Sequence, residues 1–395
     1  MKNKTFSIDR IILYIFLTVI ILYFCQGSLY ANGSPVSQAS LVLWITISLT
    51  YAYKYFSKFK ATSFERLIFF FWLINSIYWL FSEKAIVSEW HESLSTMNNF
   101  KSICCTFLTY FPIRYMTKKG ILTEKLFIIF TIVLLATFIL SFFNFQARLL
   151  ALYNREAITN NMGYRFVALL PLLGFIRKPK YAFPLLIITI YFIIMSSKRG
   201  AIVCGIVSFL LYFYYTFKSV PKSKKVQYSI VILGLFIVFV YMSYDMLMSN
   251  EYLMNRLSNM EAGNDDSGNA RISQVSAIWD YSLNGSIFHF LFGYGFDKSV
   301  MIAGNYAHND WAELLANLGI FGCIIYLIFF IKLFNIFKRN KKYLTQDECY
   351  IIVSTICIWF TITLFSMGYI SNNSFLLIIA IAYINTKIEK VKYHV

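Results

Sequence analysis

Residues 125–145 read KLFIIFTIVLLATFILSFFNF. Past Lys125 no charged side chain interrupts the run. A stretch of about 20 apolar residues is the length of a helix that crosses a bilayer core. In lipid such a helix satisfies its own backbone N–H and C=O groups, which water would otherwise have to do. The pattern recurs at roughly 11–27, 39–55, 65–82, 97–113, 162–176, 181–196, 200–217, 228–247, 311–334, 349–368 and 373–386. These runs predict an all-α, polytopic integral membrane protein with about 12 transmembrane helices. Residues 1–395 then form a single membrane domain. Composition points the same way. The chain is 58% hydrophobic and 14% charged, with mean hydropathy +0.60, too apolar for the surface of a soluble domain.

The formal net charge is +17, which raises two alternatives, a nucleic-acid partner or the excess of basic residues on cytoplasmic loops. Position decides between them. Lys54, Lys58, Lys60 and Arg66 form one cluster, Arg177, Lys178 and Lys180 another, and Lys338, Arg339, Lys341 and Lys342 a third. Clusters fall in every second connector and make no stripe, which argues against nucleic acid. With both termini cytoplasmic, about 26 of the 36 Lys and Arg residues lie on the inner side. The run Ile11–Phe24 follows Lys2, Lys4 and Arg10 but precedes no convincing cleavage site, so it reads as an uncleaved first helix. The seven cysteines show no C-x-x-C and no zinc spacing. No glycine-rich nucleotide motif is present. Neither a metal nor a cofactor is expected.

The outer side receives connectors 83–96, 146–161, 197–199 and 248–310. The last is far longer than a compact fold needs, which marks it as functional or loose. Its part MEAGNDDSGNA (260–270) reads as flexible loop, and Asp265 and Asp266 have no assigned role. In ARISQVSAIWDYSL (270–283), Ile272, Val275, Ile278 and Trp279 recur at helical spacing. This predicts a short amphipathic helix at the membrane surface, with Asn269 as its N-cap.

A few outer polar residues need a reason. Lys198 and Arg199 sit in the tight turn IIMSSKRGAIVCG (193–205), on the side where positive charge is disfavoured. They either snorkel to the interface or make an anion site, with Gly200 leaving the backbone open to a ligand. Arg271 falls in the first turn of the surface helix, where a cation opposes the helix dipole. It either pairs with Glu261, Asp265 or Asp266, or shares a docked phosphate with the helix end. His308 stands in NYAHNDWAELLANLGIFG (305–322). A lone histidine at a helix start is by itself an ordinary interface residue. Here Asn309 and Asp310 can orient its ring, and an imidazole near pH 6.5 suits proton abstraction. Arg165, with Arg148 and Arg155 upstream, can join the same basic cavity. Many cations and few acids suit a polyanionic headgroup.

Three stretches together, SSKRGA (196–201), the block from NARISQVSAIWDY (269–281) through FGYGF (292–296), and AHNDWAELLANLGIFG (307–322), resemble the bacterial O-antigen polymerase and O-antigen ligase superfamily. The resemblance covers about 196–330; beyond it only span number and hydropathy agree. It implies a polytopic inner-membrane glycosyltransferase whose catalytic loop, here 248–310, is periplasmic. The implied donor is a glycan on undecaprenyl diphosphate, and the acceptor is a sugar hydroxyl. The bond forms with inversion and needs neither nucleotide sugar nor metal. By motif, Arg199 and Arg271 hold the diphosphate and His308 is the general base. Arg165, Lys198, Asn309, Asp310, Glu313 and Trp279 complete the candidate substrate-binding set. The family turn often has serine where this chain has Lys198. Partners implied are undecaprenyl-diphosphate-linked oligosaccharide and polysaccharide, inner-membrane lipid and, for a polymerase, a membrane protein that regulates chain length.

Polymerase and ligase share this constellation, and the K-R-G turn and H-N-D-W run lean towards a polymerase. A flippase for the same lipid-linked glycan is the alternative of another class. Transporters tend to show paired repeats and broken helices, whereas this chain has only 6 prolines and no evident repeat.

Overall fold

The computed structural model describes residues 7–31, 33–88, 91–153, 160–249 and 266–393, together with 254 and 258. Helices α1 (Ile8–Phe24), α2 (Pro35–Lys58) and α3 (Ser63–Phe81) come first. An antiparallel hairpin of β1 (Ala85–Ser88) and β2 (His91–Ser95) follows, the one sheet among the described residues. Then come α4 (Thr96–Leu108), α5 (Tyr110–Lys118), α6 (Glu124–Tyr153), α7 (Gly163–Leu173), α8 (Pro179–Met195), α9 (Arg199–Ser219) and α10 (Lys225–Ser249). The last part holds α11 (Asp266–Asn284), α12 (Ile287–Phe292), α13 (Ser299–Ala303), α14 (Asp310–Asn340), α15 (Gln346–Phe365) and α16 (Phe375–Tyr393).

Every apolar run carries a helix, and the described elements are all helical apart from one hairpin. Among the described residues, 6 helical stretches are long and apolar enough to cross a membrane. They are Pro35–Lys58, Ser63–Phe81, Glu124–Ala151, Arg199–Ser219, Asp310–Tyr343 and Gln346–Phe365. Other runs are cut short for local reasons. The run 97–113 divides at Thr109 into α4 and α5, because Pro112 has no N–H to give the Leu108 carbonyl. Thr109 takes up the slack by donating to Cys105 O and accepting from Trp44 Nε1 at 2.7 Å. The run 162–176 yields only the 11 residues of α7, which contain Pro171.

The last helix is the centre of the fold. From Phe375 to Ile384 every side chain of α16 is buried, as expected for a helix apolar on all faces. It packs against α4, α5, α7 and α15. Phe375 stacks on Phe24 and meets Trp44 edge-on, tying α1 and α2 to the same centre.

Charge divides the bundle into two ends. At one, Arg114 pairs with Glu65 at 2.8 Å and also bonds Glu389. Glu124 there binds Arg177 and Lys387, and Lys387 reaches Glu348. These pairs gather the connectors read from the sequence as cytoplasmic. The opposite end collects the α3–α4 hairpin, the start of α7, the turn before α9, the segment 285–309 and the α15–α16 loop, and cavities open among these segments.

Candidate functional site

The first residues of α14 set the site. Asn309 is the N-cap: its Oδ1 accepts from Trp311 N at 3.0 Å and Ala312 N at 3.1 Å. Its Nδ2 donates to Leu364 O at 3.2 Å. Asp310 is fully buried and accepts from Gly368 N at 2.7 Å, from Tyr369 N, and from the Tyr326 hydroxyl at 2.8 Å. It therefore pins the α15–α16 loop. Glu313, also fully buried, accepts from Ala307 N at 2.6 Å and from the Ser299 hydroxyl, pinning the segment 299–307. The sequence suggested that Asn309 and Asp310 orient the imidazole and that Asp310 and Glu313 bind substrate. The structure turns their polar atoms to the backbone and to neighbouring hydroxyls instead.

That leaves His308 as the residue of the run that faces a cavity of about 410 Å³. Its backbone is left-handed, with φ 53°, a conformation that costs a non-glycine residue about 1 kcal/mol or more. Lys198, Arg271, Tyr164 and Asn161 line the same cavity, with the α15–α16 loop from Phe365 to Ser374 as its far wall. Arg271 donates to Phe365 O at 3.4 Å. The start of α7 reaches the site because Asn160 N donates to Ser196 O at 2.8 Å. Gly163 lets it come that close: a Cβ there would meet Ser196 Oγ at 2.2 Å. Burial pushes the His308 imidazole down to about 4, with the Arg271 and Lys198 charges adding to the effect. The ring is thus neutral across the physiological range, not poised near 6.5.

Several sequence expectations change place. Of the K-R pair, Lys198 lines the cavity and Arg199, the first residue of α9, does not. The space over Gly200 is not open to a ligand, since a Cβ there would meet the Tyr164 hydroxyl at 2.5 Å. Helix α11 starts at Asp266, so Asn269 lies inside it and is not its N-cap. Glu261 and Asp265 fall outside the described residues. On α11, Val275 and Ile278 pack against Ala312, Leu315 and Ala316, whereas Ile272 and Trp279 point outward, at 70% and 43% exposure. Trp279 lines neither cavity. Arg165 lines the neighbouring cavity, not that of His308. Among the described residues no three His, Cys, Asp or Glu side chains gather as metal ligands would.

Helix α14 is not continuous. Gly319 has φ 67° and ψ −168°, and Gly293 of FGYGF has φ 77° and ψ −177°, a region essentially confined to glycine. The two cross backbone to backbone. A Cβ on Gly319 would lie 2.5 Å from Gly293 N and from the Leu291 carbonyl. The carbonyls of Ala316 and Asn317 turn to Tyr294 N at 2.8 Å and Gly295 N at 3.2 Å. The segment Asp310–Leu318 is therefore a short helix that ends against 293–295.

Sequence reasoning missed the α15–α16 loop, Tyr164 and Asp297. The run SNNS at 371–374 is the one signal for the loop, a polar patch between two apolar runs. Asp297 is buried and left-handed, with φ 60°. Its Oδ1 accepts from Asn99 Nδ2 at 2.9 Å and its Oδ2 is buried with no partner among the described residues. Burial pushes this carboxyl up to about 7, with the Asn99 bond pulling the other way. The folded chain holds a proton that the unfolded chain releases near pH 4, so stability falls as pH rises from about 4 through about 7. Asp297→Asn should melt at least about 2 °C above the parent at pH 8, with the gap narrowing as pH falls below about 7 and closing near pH 4. A gap independent of pH would overturn this account of Asp297.

No curated protein matches the chain. A family match is found where the three motifs lie. Spanning most of α8, all of α9 to α13 and the first half of α14, residues 184–327 match the O-antigen ligase (Wzy_C) family domain.

Proposed function

We propose that the chain polymerises a bacterial surface polysaccharide, transferring a growing glycan from undecaprenyl diphosphate to a sugar hydroxyl of a lipid-linked repeat unit at the periplasmic face. Members of the matched family are membrane enzymes that transfer glycans in surface-polysaccharide assembly. The observation that carries the reading is one cavity holding His308, Lys198 and Arg271 together. The donor diphosphate lies against Arg271 and Lys198, whose charges offset the charge that grows on it. The acceptor oxygen attacks the anomeric carbon and the bond from that carbon to the diphosphate breaks. The diphosphate leaves with the bonding electrons, and the acceptor's proton passes to the His308 imidazole.

A second reading, transfer of the finished glycan to lipid A–core, is favoured by the description of the matched family as O-antigen ligase. One deletion strain separates the two. Loss of the polymerase leaves core bearing a single repeat unit, the expected result. Bare core with polymer accumulating on its carrier would make the chain a ligase. Single units trapped on the cytoplasmic face would make it a flippase and sink the transferase chemistry.

A further inference from the structure

A second cavity, of about 320 Å³, lies beside that of His308 and is lined by Gln26, Ser141, Arg148, Asn161, Arg165 and Asn373 among others. Asn161 and Asn373 line both cavities, so the two share a wall. Among the described residues no carboxylate lines the second one. Arg165 comes from α7 and is fixed in place. Its Nε donates to Asn373 Oδ1 at 3.2 Å, and its guanidinium sits 5.0 Å above the Phe24 ring and 5.9 Å from that of Phe138. Among the described residues no carboxylate pairs with it. A half-buried guanidinium held against aromatic rings at the wall of a polar hollow is a preorganised receptor for phosphate oxygens. Arg148 is exposed at the same cavity, packed over Phe145 at 5.9 Å.

The chemistry proposed above needs such a receptor. A polymerase brings together two substrates that each carry a lipid diphosphate, and one cavity holding Lys198 and Arg271 serves one of them. We propose that the Arg148–Arg165 cavity binds the diphosphate of the lipid-linked acceptor, leaving the His308 cavity to that of the donor. The shared wall at Asn161 and Asn373 then lies where the acceptor sugar crosses from its own diphosphate towards His308. This assignment rests on the polymerase reading.

The test uses the full chain in proteoliposomes, with a lipid-linked oligomer as donor and a lipid-linked single repeat unit as acceptor, varied separately. Arg165→Gln should raise the KM for the acceptor at least ten-fold and leave that for the donor within two-fold. Arg148→Gln, at an exposed position that does not threaten folding, should do the same to a smaller degree. Inorganic pyrophosphate should compete with the acceptor in the parent and more weakly in Arg165→Gln. Unchanged acceptor KM in both variants, or a rise confined to the donor, would overturn the assignment and leave the chemistry at His308 standing. Undiminished transfer by Arg271→Gln would instead remove the reading beneath it.

Discussion

Replacing His308 by alanine should lower glycan transfer by about 10²–10⁴-fold, the usual worth of a positioned general base. The chain should still fold, because His308 is not among the residues that pin the loops; those are Asn309, Asp310 and Glu313. The pH dependence is the sharper part of the expectation. With its ring pushed down to about 4, His308 is unprotonated in the free enzyme down to unusually low pH. Activity is lost as pH falls through that value, so the acid limb of kcat/KM should lie near pH 4. A bound diphosphate offsets the Arg271 and Lys198 charges that disfavour the imidazolium. The acid limb of kcat, which reports the complex, should therefore lie at higher pH than that of kcat/KM. Arg271→Gln should raise the limb of the free enzyme. The electrostatics also explain how so weak a base is useful. As the diphosphate departs, negative charge builds beside the ring, and the imidazole gains proton affinity at the moment the acceptor gives its proton up. Measured transfer above one tenth of the parent's, at matched protein level, would remove His308 from the chemistry.

The second large effect is structural. Gly319→Ala places a methyl group 2.5 Å from Gly293 N in a backbone conformation that side chains avoid. Strain and overlap together should cost about 2–6 kcal/mol, enough to abolish a stable fold in many proteins. Detergent-solubilised protein should show little cooperative melting, and no transfer. Gly234→Ala is the control, since a Cβ there meets nothing within 4 Å and alanine favours a helix. If Gly319→Ala melts like Gly234→Ala, the crossing of the two glycines is not a structural requirement.

The helical architecture could be read from the sequence because bilayer-length apolar runs announce themselves, and KLFIIFTIVLLATFILSFFNF became the long helix α6. Lys198 and Arg199 stood out as charge on the outer side, Arg271 as a cation opposing a helix dipole and His308 as a histidine at a helix start. The structure brings Lys198, Arg271 and His308, but not Arg199, to one cavity. The break at Gly319 was hidden because NLGIFG has the same apolar pattern on both sides, and a glycine inside a helix is usually tolerated. The loop 366–374 was overlooked because neutral serines and asparagines carry no charge to betray them. Asp310 and Glu313 were read as substrate-binding residues, and the structure gives their carboxylates to backbone N–H groups and hydroxyls. Which atoms they meet depends on segments some 58 and 14 residues away, Gly368 and Ser299, and local sequence holds no record of that.

The crossing of Gly293 and Gly319 has a further consequence. It closes the chain from 293 to 319 into a ring tied at its neck, and Glu313 adds a crossbar to Ser299 and Ala307. His308 rides on that ring. Its position is settled when the protein folds, so a substrate binding beside it does not have to order the base, and the entropy of doing so is not deducted from affinity or rate. The same closure forbids adding or removing residues between the two glycines without moving the histidine. Adaptation to a different sugar is then left to the walls that are not part of the ring, the α15–α16 loop and the start of α7.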